Sequence, residues 1–109
     1  MVAGAGCRNK GARGQGRFAA ILRARDYDVT QVTAGILAED LVARRDDKVW
    51  SVEVKNTKAW QPGFLKQARA QAALRRARWM LAWSIPGTRS WLVLRQGERP
   101  VLWHENVAE

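Results

Sequence analysis

Glu53 and Lys55 stand two residues apart in Val49-Trp50-Ser51-Val52-Glu53-Val54-Lys55, a segment that alternates like a half-buried strand. The alternation turns Trp50, Val52 and Val54 to one face and Ser51, Glu53 and Lys55 to the other, so the acid and the amine are neighbours. Upstream, Asp40 to Arg44 reads as a second strand, joined to the first by a polar turn at Asp46 and Asp47. A hairpin symmetric about that turn pairs Arg45 with Lys48, Val42 with Ser51 and Asp40 with Glu53. Directly opposed side chains have Cβ atoms roughly 4.5 to 5.5 Å apart, and two like charges so placed repel. A divalent cation held by both carboxylates would compensate. Two carboxylates with a lysine beside them suit metal-assisted phosphodiester hydrolysis. The cation polarises the phosphoryl oxygen and acidifies water, and the lysine orients or deprotonates that water and offsets charge in the transition state. The plain alternative leaves all three as solvated charges at strand ends.

The charge balance favours a phosphate substrate. The 109 residues carry 19 lysines and arginines against 10 aspartates and glutamates, a net charge of +9. No acid occurs from Met1 to Arg25, and none from Val54 to Gly97. A field of that sign attracts polyanions, of which nucleic acid is the commonest inside cells. With 47% hydrophobic residues and six tryptophans the chain can bury a core, which excludes a disordered protein for most of its length. The length suits one domain. Cys7 is the only cysteine, which excludes an internal disulfide and a thiolate zinc cluster. Uncharged stretches such as Trp79 to Thr88 are too short to span a bilayer. Met1 to Gly16 lacks the apolar region of a signal peptide, so the expectation is a cytoplasmic protein with no membrane partner.

Around the hairpin, Gln15, Phe18, Ala19 and Leu22 share one face of an amphipathic helix over Arg13 to Arg25, its start left open by Gly11, Gly14 and Gly16. Tyr27 to Thr33 reads as a strand. Pro62 opens a second helix over Phe64 to Arg78. Trp79 to Ile85 and Trp91 to Arg95 read as strands parted by Pro86 and Gly87 and covered on both faces, with Val101 to Trp103 as a short edge. The predicted class is α/β, in the order α-β-β-β-α-β-β with an optional last strand and a helix for each face of one mixed sheet. Residues 1–109 form a single domain, of which 1–9 are expected to be a flexible, basic, glycine-rich tail.

A helix beginning Lys10-Gly11, then Asp40, Glu53-Val54-Lys55, and a helix holding Phe64-Leu65-Lys66-Gln67-Ala68 make an ordered set that resembles the PD-(D/E)XK nuclease superfamily. Within it the chain is most similar to the small Holliday junction resolvases of archaeal and phage type. The resemblance implies a restriction-endonuclease-like fold, a magnesium cofactor with manganese as substitute, and a homodimer acting on branched DNA such as four-way junctions. It also implies that Asp40 and Glu53 ligate the metal, that the Val54 carbonyl adds a ligand, and that Lys55 is catalytic. Two positions depart from the family. Gln15 stands where a glutamate usually reaches the metal site, and it can hydrogen-bond a metal-bound water without supplying charge. Glu39 replaces a proline, and strand alternation points it away from Asp40.

Lys10, Arg13, Lys58, Lys66 and Arg69 are candidate phosphate contacts or solvated charges. Gln67 either contacts the lysine or the scissile phosphate, or sits on the polar side of its helix. Trp60 either lids the core or stacks on an unpaired base. His104 has no ligand spacing around it, and the N-terminal glycines lack the other residues of a P-loop. The leading reading is a magnesium-dependent, structure-selective endonuclease. Its rivals are a catalytically weak or inactive nuclease fold that binds branched DNA or RNA, and a basic RNA-binding module.

Overall fold

Asp46 and Asp47 both adopt left-handed backbone angles, φ 52° and 65°. Two such residues in a two-residue loop make the hairpin turn whose twist matches the flanking strands. It joins β2 (Leu41–Arg45) to β3 (Lys48–Lys55), with Arg45 opposite Lys48 and Val42 opposite Ser51 as the symmetric turn requires. This computed structural model describes residues 2–31 and 40–105, with side chains from Arg13 onward.

The hairpin sits inside a six-stranded sheet ordered β1-β2-β3-β4-β5-β6, where β1 is Asp28–Gln31, β4 Arg78–Ser84, β5 Ser90–Arg95 and β6 Val101–His104. Only β3 and β4 run parallel, so the sheet is mixed. That parallel step needs a crossover, and α2 (Gly63–Arg75) supplies it. Pro62 stands as its N-cap with helical backbone angles. Between β4 and β5, Pro86 and Gly87 occupy the centre of a tight turn closed by the Thr88 N–H on the Ile85 carbonyl, and Gly87 takes the positive φ of 78°.

Helix α1 (Val2–Ala24) covers the other face. Its apolar stripe buries Phe18, Ala19, Ile21 and Leu22 against Trp50, Val52, Met80, Ala82, Trp91, Val93 and Trp103. Full burial of each large apolar side chain is worth about 1.5 to 3 kcal/mol, so this layer anchors α1. A smaller cluster of Phe64, Ala68 and Leu81 lies under α2. The element order and the helix on each face are those of a restriction-endonuclease-like fold, as expected from the sequence.

Three expectations need correction. The backbone of residues 2–9 continues α1 where a tail was expected. Strand β5 is not covered equally on both faces: Trp91 and Val93 are buried, while Leu92 and Leu94 on the side of α2 are half-exposed. Asp40 is not paired opposite Glu53; pairing ends at Leu41 with Val52, and the Asp40 N–H donates to the Val52 carbonyl at 3.0 Å. Such bulge-like departures occur beside active sites, where they re-aim a side chain.

Candidate active site

Among the described residues β2 stops one residue short of Glu53, and the edge of β3 beyond Val52 has no strand partner there. The Asp40 carboxylate takes that place: Oδ2 accepts the Val54 N–H at 2.7 Å. In an extended strand a residue's N–H and C=O point to the same side, so the Val54 carbonyl also faces the Asp40 edge. The other oxygen, Asp40 Oδ1, accepts a hydrogen bond from Gln15 Nε2 at 2.9 Å. Gln15 reaches it from the stripe of α1 that also carries Phe18, Ala19 and Leu22, so the helix that builds the core also sets the carboxylate. Two donors on two oxygens fix its orientation.

Glu53 points to the opposite face of the sheet and is 2% exposed. Its Oε1 lies 3.8 Å from Lys55 Nζ, an ion pair beyond hydrogen-bond distance. The ammonium donates to Gln67 Oε1 at 2.7 Å and lies 5.2 Å from the centre of the Phe64 ring, so α2 positions the lysine through a polar and an aromatic contact. Gln67 therefore meets the lysine, one of the two roles open to it from the sequence.

The donor set selects the kind of metal it would hold. Among the described residues no three of His, Cys, Asp and Glu converge. Carboxylate and carbonyl oxygens, the donor types of Asp40, Glu53 and Val54, are those that magnesium takes, with several waters and one or two carboxylates from protein.

The structure of Hjc, a Holliday junction resolvase from the archaeal hyperthermophile Archaeoglobus fulgidus, is similar to this chain with a TM-score of 0.63 at 22% identity, over 88% of this chain and 84% of that one. The two chains share one fold. No protein-family model and no curated protein sequence matches it.

In this fold the remaining candidates separate. Arg13 lines an open groove of about 650 Å³ with Gly16, Arg17, Ala20 and Asn56, beside Gln15 and just past Lys55. Lys58 and Lys66 are exposed on the loop after β3 and on α2. The Arg69 guanidinium lies over Trp79, 5.4 Å from the ring centre, at the start of β4, whereas Lys55 pairs with Trp83 near its end. The side chain of Lys10, and Glu39, lie outside the described residues. His104 Nδ1 is 2.6 Å from Ser90 Oγ, its cross-strand partner, remote from the carboxylates in the strand order.

Sequence reasoning missed Arg17 and Asn56. Arg17 pairs with Glu105 at 3.0 Å, donates to Ser84 Oγ at 3.1 Å and stacks over Trp91, which holds one wall of the groove rigid. Its partners are distant in sequence, and no local pattern announces them. Asn56 had a signal, since it directly follows Lys55. A Cβ added to Gly14 would come within 3.3 Å of the Asn56 Cβ, so the glycine lets α1 approach the loop.

Proposed function

We propose that the protein is a magnesium-dependent, structure-selective DNA endonuclease that resolves Holliday junctions, working as a homodimer of one nuclease domain per chain. The observation that carries this reading is Asp40, clamped by Gln15 and the Val54 N–H at the end of the strand that bears buried Glu53 and Gln67-held Lys55. Asp40, Glu53 and the Val54 carbonyl would hold magnesium, which supplies Lewis-acid stabilisation of the charge that grows on the phosphoryl oxygens.

The chain's own groups do the rest. Lys55 presents an ammonium that can orient the attacking water or bond a phosphate oxygen, and the Gln67 bond restricts the rotamers it must give up to do so. Arg13, Lys58 and Lys66 supply positive charge to the flanking backbone, where each phosphate neutralised releases counterions. A four-way junction has two-fold symmetry, and paired incision needs two such sites, hence a homodimer.

Incubation with a labelled four-way junction, with and without magnesium, tests the reading. Paired, magnesium-dependent incisions near the branch support it, and manganese should substitute. Binding with no incision in either metal refutes it in favour of a second reading, a nuclease fold that binds branched nucleic acid without cutting. One observation favours that alternative: Gln15 offers an amide to Asp40 and brings no third negative charge to the site.

A further inference from the structure

Trp60 lies on the loop between β3 and α2, and its large indole is 37% exposed. The loop under it is tied down. Thr57 Oγ1 donates to the Ala59 carbonyl, Trp83 Nε1 donates to both the carbonyl and the hydroxyl of Thr57, and the Phe64 N–H closes on the Gln61 carbonyl. The ring meets Phe64 at 5.4 Å and Trp83 at 5.9 Å, with interplanar angles of 81° and 77°. Neither neighbour is parallel to it, so no stacked ring occupies the indole, and the aromatic pair beneath holds it in one orientation.

Position gives this ring a use. Lys55 Nζ is 5.2 Å from the Phe64 centroid and Phe64 is 5.4 Å from Trp60, which places the indole no more than about 11 Å from the lysine. At 3.4 Å per base step that is about three steps of duplex from a phosphate held at Lys55. Exposed Lys58 and Lys66 flank the loop in sequence, within a segment that carries no acid. A lid over Phe64 and Trp83 would need only an apolar side chain; a fixed, half-open indole between cations is the arrangement that holds a base by stacking.

We infer that Trp60 reads the branch point, its indole stacking on the base-pair face that is exposed where strands exchange. Continuous duplex buries every such face between neighbouring pairs, so this contact distinguishes branched from linear DNA while the lysines hold both alike. The inference rests on the endonuclease reading above and adds a residue that sets substrate choice.

The test uses the whole protein in EDTA, so that no strand is cut, with four-way junctions carrying 2-aminopurine either at the branch or in mid-arm. The parent protein should change the branch signal by stacking and leave the arm signal alone. Trp60→Leu preserves an apolar lid; it should remove the branch signal and weaken junction binding by about 5- to 150-fold, with a much smaller effect on a linear duplex. Trp60→Phe, which keeps a smaller ring, should fall between. Normal junction preference without a branch signal in the parent overturns the inference while the endonuclease reading stands, and this arm needs no variant to fold. Equal losses on junction and duplex by a Trp60→Leu protein with parental circular dichroism overturn it as well, leaving Trp60 as a lid. A parent that binds junction no better than duplex overturns both readings.

Discussion

Gln15→Glu places a second carboxylate oxygen where Gln15 Nε2 now donates to Asp40 Oδ1 at 2.9 Å. Two negative charges about 4 Å apart repel by about 4 kcal/mol at an effective dielectric of 20. Gln15 is half-exposed, so solvent screens part of this, leaving about 1 to 3 kcal/mol. The change also removes the hydrogen bond. In EDTA the variant should therefore unfold about 4 to 24 °C below the parent, using roughly 4 to 8 °C per kcal/mol for a chain of this size. On the proposed reading magnesium reverses the sign, because the new carboxylate stands beside Asp40, where the cation would be held. At a hundred times its dissociation constant a ligand adds about 2.7 kcal/mol, so saturating magnesium should recover most of the loss and raise the melting temperature more in the variant than in the parent. Thermal melts in EDTA and across a magnesium titration read both effects, and cleavage should reach half its maximum at lower magnesium in the variant. If Gln15→Glu melts like the parent in EDTA and gains no more from magnesium, Gln15 does not share the site with Asp40 and the metal assignment fails.

Asp40→Asn should abolish cleavage with only a small loss of stability, since an asparagine oxygen can keep the Val54 N–H and Gln15 can turn its amide to match; Asp40→Ala strands both donors and should cost about 1 to 3 kcal/mol for each, read by urea unfolding. Junction binding in EDTA should survive Asp40→Asn or tighten, because a charge that repels phosphate is gone. Lys55→Ala should also end cleavage with a small effect on binding, while Gln67→Ala, which frees the ammonium from its 2.7 Å bond, should lower kcat several-fold and leave junction affinity near parental. Replacing Lys58 and Lys66 together should flatten the slope of log K against log salt by up to about 0.9 per lysine, measured by fluorescence anisotropy. Gly14→Ala gains about 1 kcal/mol of helix propensity but meets Asn56 at 3.3 Å; it should stay folded while cleavage falls, as α1 moves Gln15 away from Asp40.

The hairpin was legible because it is local. Two aspartates able to adopt positive φ set the turn, and the turn fixed the register from Arg45 opposite Lys48 to Leu41 opposite Val52. One residue further the reading broke down, since where β2 ends depends on what the chain before it does, not on the strand's own alternation. The face of Gln15 was legible from its spacing to Phe18 and Leu22. The reach of α1 was not, because Gly11, Gly14 and Gly16 look like helix breakers, whereas Gly14 is small for the sake of Asn56. The direction of Arg69 was hidden for a related reason: position on α2 places its backbone, but the Trp79 ring that its guanidinium lies over comes from the following strand. Arg17 could not be found at all without the fold, as Ser84, Trp91 and Glu105 reach it from the far end of the chain.

Early termination of β2 connects fold and chemistry. Regular pairing carried on to a residue opposite Val54 would satisfy its N–H and carbonyl within the ladder, and that edge would be closed. Ending the pairing at Leu41 leaves both groups facing outward, and the Asp40 side chain then takes the N–H as a strand carbonyl would have done. The Val54 carbonyl faces the same edge as the Asp40 carboxylate, so one interrupted ladder bond turns two oxygens to one side, the pair proposed to hold the cation, at no loss of backbone hydrogen bonding on the donor side. Asp40 thereby has a structural acceptor role that precedes any metal, and Asp40→Ala conflates the two. Only the contrast between alanine and asparagine at this position separates the aspartate that completes the sheet from the aspartate that holds a cation.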